Sequence, residues 1–456
     1  MARILVSVLP ASGHINPILA IAQALTANGH NVSFTTDQSY SAQLERAGYL
    51  LYPMAYPEGA VQGAQDAFRQ PARWISQFSL HPPQSFFFRH LDALTDSIIM
   101  AIDTFQPDIL LTDLNQYAGP IAADARQLPY ASYCAIVNPI LSRDIPPFGM
   151  GLDWAPKWHW KRLTWPVLGL VLHPILWRYD RIVNRVRRRH NLPPVRGALL
   201  AHSPYLTLVP VTDAYEYPRS DLPREVMYVG PVTTPHRGEV HDDFPLEFFD
   251  DERPVIYVSM GTIVRGDRVF RHVIELARNA NWKAVVAIGR NSNPLDYHHL
   301  PDNVIVRQFV PQLEILPRVD AVISHGGNNT VTETLMHGLP LVVIPISADQ
   351  PDSAAHVAAI GAGIRLSPWR LTRGKLEQAI EAVLVDSRFR EAAQRIQASY
   401  ALTDGPQTSA RLIELLAATG QPIRRSVQMS PTILPHDVEK MVAVMVEEAN
   451  QRHHLD

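Results

Sequence analysis

PVIYVS, residues Pro254–Ser259, begins a strand-and-helix pattern that the chain has already run through once, and this restart decides the fold. Downstream, Lys283–Ile288 (KAVVAI), Val304–Phe309 (VIVRQF), Ala321–Ser324 (AVIS) and Leu341–Ile344 (LVVI) are short runs of the kind buried parallel strands need, with helical stretches between them. Upstream, Ala2–Leu9 (ARILVSVL), Asn31–Thr36, Asp108–Thr112 (DILLT) and Tyr130–Cys134 (YASYC) read as strands. Between them, helices are predicted up to Asn28-Gly29, over Ser39–Ala47 and over Gly119–Gln127, the first with Asn16 as N-cap and Pro17 as first helical residue. Strands alternating with helices imply right-handed βαβ units and a parallel sheet. The expected fold is α/β, two successive doubly wound domains over 1–235 and 254–420. The polar, acidic stretch 236–253 reads as the linker. In the tail, 421–456, Val438, Met441, Val442, Met445, Val446 and Ala449 form one apolar helical stripe, to pack on the protein itself or on a second copy. The stretches 55–105 and 140–200 read as irregular insertions rich in aromatics and proline.

Composition narrows the class. With 46% hydrophobic residues among 456, the chain can build large cores. Lys+Arg at 41 against Asp+Glu at 44 leaves a net charge of −3, without the basic excess of a dedicated nucleic-acid binder. One cysteine, Cys134, excludes internal disulfides and fits a reducing, cytoplasmic setting; Ile4–Leu9 is too short for a signal-peptide core. Leu163–Trp177 (LTWPVLGLVLHPILW) is uncharged, but it holds Pro166 and Pro174 and falls short of the roughly 20 residues a membrane span needs. Trp154, Trp158, Trp160, Lys157 and Lys161 precede it, and Arg178, Arg181, Arg185 and Arg187–Arg189 follow. Two readings stand: a helical cover on a hydrophobic pocket followed by a solvated basic helix, or a segment resting on a membrane surface.

Ligands of open α/β sheets bind beyond the carboxyl ends of the strands, so polar residues just after strands are the candidates. These are Ser12-Gly13-His14 and Asp113 in the first half, and Gly261-Thr262, Pro311-Gln312, His325-Gly326-Gly327 and Ser347–Gln350 in the second. A carboxylate on one imidazole nitrogen of His14 would fix the tautomer and leave the other to take a proton from a hydroxyl. Equally, His14 could cap a helix and Asp113 end a strand. In His325–Glu333 (HGGNNTVTE), two glycines permit close backbone approach and a helix opens near Asn328, which is an anion site with His325 at its rim. Glu333 lies one to two turns in, where a carboxylate suits a ribose diol. A plain strand-to-helix turn is the alternative for the glycines. There is no Gly-x-Gly-x-x-Gly; Gly374-Lys375 is followed by Leu376, so no P-loop forms, and neither Asp-x-Asp nor His-Glu-x-x-His supports a metal.

These residues resemble a known family. The chain is similar to the GT-B-fold UDP-glycosyltransferases of glycosyltransferase family 1, in the bacterial natural-product branch. Gly13-His14-Ile15-Asn16-Pro17 resembles the family's Gly-His-x-Asn-Pro signature, and Asp113 stands where the family keeps the partner of its basic histidine. Tyr228–Pro231 (YVGP) and Val258–Thr262 (VSMGT) fit on either side of the linker, and Val310-Pro311-Gln312, His325–Glu333, Gly338-Leu339-Pro340 and Asp349-Gln350 follow in the family's order. The likeness covers about residues 1–418 and implies a GT-B fold, two Rossmann-like domains facing across a cleft. It implies His14 as general base, Asp113 as its orienting partner, and Gln312 against the uracil. His325, Gly327, Asn329 and Thr330, with Thr262, would hold the diphosphate, Glu333 the ribose, and Asp349 and Gln350 the sugar hydroxyls. Phe309 stands where relatives often stack a tryptophan on uracil, Thr330 replaces a serine, and Asn328 replaces the tryptophan of plant relatives.

The implied function is inverting, metal-independent transfer of a hexose, glucose from UDP-glucose foremost, to a hydroxyl of a hydrophobic small molecule. UDP-glucose would be a co-substrate; no cofactor and no nucleic acid are expected. Trp74, Phe78, Phe86–Phe88, Phe148 and the Trp154–Trp165 region are candidates for the acceptor wall, suited to a flavonoid, polyketide, macrolide, carotenoid or sterol. A cytoplasmic monomer or homodimer is expected, with peripheral membrane contact open. The rival readings are a nucleotide-sugar epimerase on the same fold and a binding partner without turnover.

Overall fold

The computed structural model describes residues 1–61, 86–156, 159–234, 244–261, 266–289 and 292–443. Thr262, Trp74, Phe78, Lys157, Trp158, the first part of the linker and the tail residues Met445, Val446 and Ala449 lie outside them. The first sheet is built from β1 (Arg3–Ser7), β2 (Asn31–Thr36), β3 (Leu50–Pro53), β4 (Ile109–Asp113), β5 (Tyr130–Tyr133), β6 (Leu206–Val209) and β7 (Val226–Tyr228). All pair in parallel, in the order β3-β2-β1-β4-β5-β6-β7. The second holds β8 (Val255–Ser259), β9 (Lys283–Ala287), β10 (Val304–Arg307), β11 (Ala321–Ser324), β12 (Leu341–Val343) and β13 (Gly363–Arg365), parallel in the order β10-β9-β8-β11-β12-β13. This is the two-domain doubly wound arrangement that the restart at Pro254 predicts.

In each sheet the strand order reverses at one place, between β1 and β4 in the first and between β8 and β11 in the second. Connections leave to opposite faces at such a switch point, which opens a crevice beyond the strand ends. Registers place Ser7 beside Thr112 and Ser259 beside Ser324, so each crevice is flanked by two strands ending level.

The helices that matter are α1 (Ser12–Ala27), α2 (Leu91–Phe105), α3 (Ala118–Ala125), α4 (Thr164–Arg189), α5 (Asp267–Ala277), α6 (Asn328–Met336), α7 (Gln350–Ala359), α8 (Arg373–Val385), α9 (Ser387–Tyr400) and α10 (Gly405–Thr419). Helix α1 begins earlier than its proline suggests. Asn16 does not cap it but accepts a hydrogen bond from Gln43, and Pro17 sits inside the helix. The insertions are less irregular than their composition implies: 91–105 and 164–189 are helices, the latter continuous through Pro174. No described helix is long and apolar enough to cross a membrane. On and just before α4, Trp160, Val167 and Trp177 are 67%, 61% and 51% exposed, and the Arg181 guanidinium lies over the Trp177 ring at 4.5 Å.

The chain does not stay in its second domain after α9. Helix α10, which sequence order assigns to 254–420, packs against α1 and buries Leu412, Ile413 and Leu416 in the core under the first sheet. Ile423, Ile433, Val438 and Met441 of the tail join the same core, whereas Val442 stays exposed. Each such side chain contributes about 1.5–3 kcal/mol on full burial, so the crossover fastens the ends of the chain to the first domain. The end of the linker docks too. Phe244, Phe248 and Phe249 pack on the second domain, and the buried Lys283 donates to the Phe248 carbonyl and pairs with Asp251 at 3.0 Å.

Candidate active site

At the first switch point, β1 leads into α1 and β4 ends on Asp113, so His14 and Asp113 come from adjacent strands. His14 Nδ1 lies 2.6 Å from Asp113 Oδ2. The carboxylate is fully buried, and its other oxygen accepts from the Asn115 backbone N–H at 2.9 Å. A carboxylate only accepts, so Nδ1 carries the proton and Nε2 is the nitrogen able to receive one. Burial pushes the imidazole pKa down, but the charge and hydrogen bond of Asp113, with the charge of Asp349, outweigh it, and the net shift is upward.

At the second switch point, β11 ends on Ser324 and the chain turns through His325-Gly326-Gly327 into α6, whose N-terminus no side chain caps. The helix therefore offers backbone N–H groups and the positive end of its dipole to the cleft. Two glycines make room for the histidine ring. A Cβ on Gly327 would stand 2.6 Å from His325 Nε2, and one on Gly261 would stand 2.7 Å from Cε1, so the ring needs both bare positions. Burial holds His325 down at about 4, which makes it a neutral donor at pH 7. Thr330 is buried one turn in.

Glu333, on the same helix, is buried and accepts from Gln312 Nε2 at 2.5 Å; Gln312 Oε1 in turn accepts from the Tyr257 hydroxyl at 3.0 Å. Two residues 21 apart in sequence thus form one polar surface. Phe309 follows β10 and is half-buried at the same sheet end. Gln350 Oε1 is already used inside its own loop, accepting from Ile346 N and Ser347 N at 2.8 and 2.9 Å, which leaves its amide N–H₂ for a ligand. Ala348 holds φ of 55°, a left-handed conformation that costs a non-glycine residue energy and turns the chain into Asp349.

The two switch points face each other. Asp349 Oδ2 accepts from Val137 N at 3.1 Å, Asn328 Nδ2 donates to Ala135 O at 3.4 Å, and Asn329 Nδ2 donates to Gly13 O at 3.0 Å. Sequence reasoning missed Asp352, whose oxygens accept from Gly149 N at 2.6 Å and Gly151 N at 2.9 Å in the first domain. Burial pushes its carboxyl up to about 6 despite those bonds. Its position in the first turn of α7 signals only a favourable helix-dipole contact. Tyr257 was missed as well, being one strand residue among many. Among the aromatic wall candidates, Phe88 is core, stacked on Tyr117 at 4.7 Å and near Tyr179 at 4.6 Å. Trp165 is buried, while Phe148 and Trp154 are half-buried, Trp154 stacking on Tyr217 at 6.1 Å.

An imidazole held by a carboxylate, opposite an uncapped helix start and a carboxylate–amide pair, can take a proton from a hydroxyl while an anionic leaving group is stabilised across the cleft. Comparison with known proteins agrees in kind. Residues 271–416 match the family described as erythromycin biosynthesis protein CIII-like, C-terminal domain. The chain is 30% identical to 4'-demethylrebeccamycin synthase of Lentzea aerocolonigenes, over 91% of this chain and 99% of that one. It is 26% identical to demethyllactenocin mycarosyltransferase of Streptomyces fradiae, over 91% and 86%. The crystal structure of CalG4, the calicheamicin glycosyltransferase, superimposes with a TM-score of 0.70 at 21% identity, covering 92% of this chain and all of that one. With a full-length relative at this identity, and the two apposed parallel sheets, the chain belongs to the GT-B glycosyltransferases, in their bacterial natural-product branch.

Proposed function

We propose that the enzyme transfers a hexose, glucose from UDP-glucose foremost, to a hydroxyl of a hydrophobic natural product, with inversion and without a metal. The observation that carries this reading is the His14–Asp113 pair at 2.6 Å, set across the cleft from the start of α6. The acceptor oxygen attacks the anomeric carbon as its proton passes to His14 Nε2, and the bond from that carbon to the diphosphate oxygen breaks. Attack from the face opposite the leaving group inverts the centre. The negative charge gathering on the diphosphate is met by the backbone N–H groups opening α6 and by His325. The Gln312–Glu333 surface suits a nucleoside, with Glu333 toward the ribose diol and Phe309 under the base. Asp349 and the Gln350 amide would hold the sugar hydroxyls. The test is release of nucleoside diphosphate from UDP-glucose and, in parallel, from dTDP-sugars, over a panel of hydrophobic phenols and alcohols. Acceptor-dependent release from UDP-glucose is expected; release from dTDP-sugars alone corrects the donor, and donor binding without release favours the non-catalytic reading.

The exposed tryptophans beside cations on α4 support acceptor capture at an anionic lipid surface. Sedimentation with anionic vesicles at low salt should carry the protein down and lose it at high salt; no sedimentation at low salt removes this part of the reading.

A further inference from the structure

Pro17 lies inside α1, and a proline has no N–H to give to the carbonyl four residues back. That carbonyl belongs to Gly13, the residue before His14. It is the one to which Asn329 Nδ2 donates, at 3.0 Å, from the second residue of α6 in the other domain. The gap in one helix is thus filled by a side chain at the start of the other. We propose that Asn329 is a positioning residue for the reaction: by bonding the carbonyl that Pro17 leaves open, it sets the separation between His14 and the donor-binding start of α6. The proposal rests on the glycosyl-transfer reading for its kinetic consequence, but the link between domains is testable without turnover.

The geometry favours this role. The bond attaches one residue from the base and at the first turn of the helix that faces it, so a small change there alters the reacting distance directly. Space does not force the pairing, because a Cβ on Gly13 would lie 3.9 Å from Asn329 Nδ2, an ordinary contact. Neighbouring contacts, Asn328 to Ala135 and Asp349 to Val137, engage the loop after β5 and leave the His14 turn to Asn329.

Asn329→Ala removes the donor. Pro17→Ala leaves Asn329 in place and gives α1 its own N–H for the Gly13 carbonyl, in competition with the bond from across the cleft. A net hydrogen bond of about 0.5–1.5 kcal/mol corresponds to about a twofold to tenfold loss. Asn329→Ala should lower kcat by that factor. Pro17→Ala should lower kcat in the same sense with UDP affinity, read by calorimetry, changed less than twofold, and the double variant should be no slower than Asn329→Ala. Amide exchange at residues 12–16 should quicken in Asn329→Ala relative to wild type, whether or not any acceptor turns over. Wild-type protein inactive with every donor would remove the glycosyl-transfer reading yet leave the exchange result to decide the link. The proposal is overturned if Pro17→Ala costs UDP affinity instead of kcat, if the losses of the two variants multiply, if Pro17→Ala leaves kcat unchanged, or if exchange at 12–16 in Asn329→Ala is unaltered.

Discussion

His14→Ala and Asp113→Asn each lower kcat/KM by about 10²–10⁴-fold, the range a positioned general base contributes. The two variants separate by their pH dependence. Burial drives the His14 pKa down, and the Asp113 charge and hydrogen bond, helped by Asp349, more than reverse it. The base works only when neutral, so wild-type kcat/KM should rise with pH through an inflection above 6.5 and then level off. The Asp113→Asn change leaves burial less opposed, so the inflection should move to lower pH while the plateau falls. In His14→Ala the inflection should vanish. The same raised pKa has a stability consequence with the opposite sense: protonated His14 stabilises the fold below about pH 6.5, and that contribution is lost as pH rises through the folded value. A pH–rate profile of the three proteins checks the kinetic part and melting across the same pH range the stability part, and an Asp113→Asn profile with an unmoved inflection would assign the titration to another group.

What could be read from sequence was whatever depended on local pattern and strand order. Polar residues after strands pointed to His14, Asp113 and His325 because a parallel sheet puts every strand end on one edge. Which of those ends matter needed the strand order, since only the β1–β4 and β8–β11 neighbours open a crevice. Pro17 misled: its usual place is the first turn, and the reason for its place here lies in Asn329 of the other domain, so no local rule reveals it. The strands β3, β6, β7 and β13 went unread, being three or four residues long, with GIR of β13 opening on a glycine that local propensity disfavours. The room that Gly327 leaves for the His325 ring shows only in the fold. Asp352, Tyr257 and Glu216 act through partners on other elements, and nothing near them in sequence marks those contacts.

Glu216→Ala should be the most damaging single change to stability, because it removes the carboxylate at the centre of a buried polar cluster joining the domains. The Glu216 side chain is buried, with Oε1 taking hydrogen bonds from His356 Nε2 at 2.8 Å and Tyr217 N at 2.9 Å and Oε2 lying 3.3 Å from Arg219. His356, on α7, also bonds the Asp352 carbonyl through Nδ1 at 2.9 Å and stacks on Tyr217 at 3.8 Å. Both ring nitrogens face acceptors, and Glu216 is where the His356 ring and the Arg219 guanidinium converge. Burial works against the Glu216 charge, but Arg219 and His356 prevail and hold its pKa at about 2. Replacing it with alanine leaves the buried Arg219 guanidinium without its carboxylate, a loss of about 3–5 kcal/mol, and about 2–4 °C of Tm per kcal/mol for domains of this size. Glu216→Gln, which keeps shape and hydrogen bonding, should fall between alanine and wild type. With a folded pKa below the usual 4.5, the carboxylate stabilises the fold fully above pH 4.5, and that share is lost as pH falls through about 2. The alanine variant should therefore lose less stability than wild type on acidification over that window. Because α7 begins at Gln350, directly after Asp349, the same change should raise KM for the donor as well. A Glu216→Ala protein that melts with wild type would mean that packing of α7, and not its charges, holds the domains together.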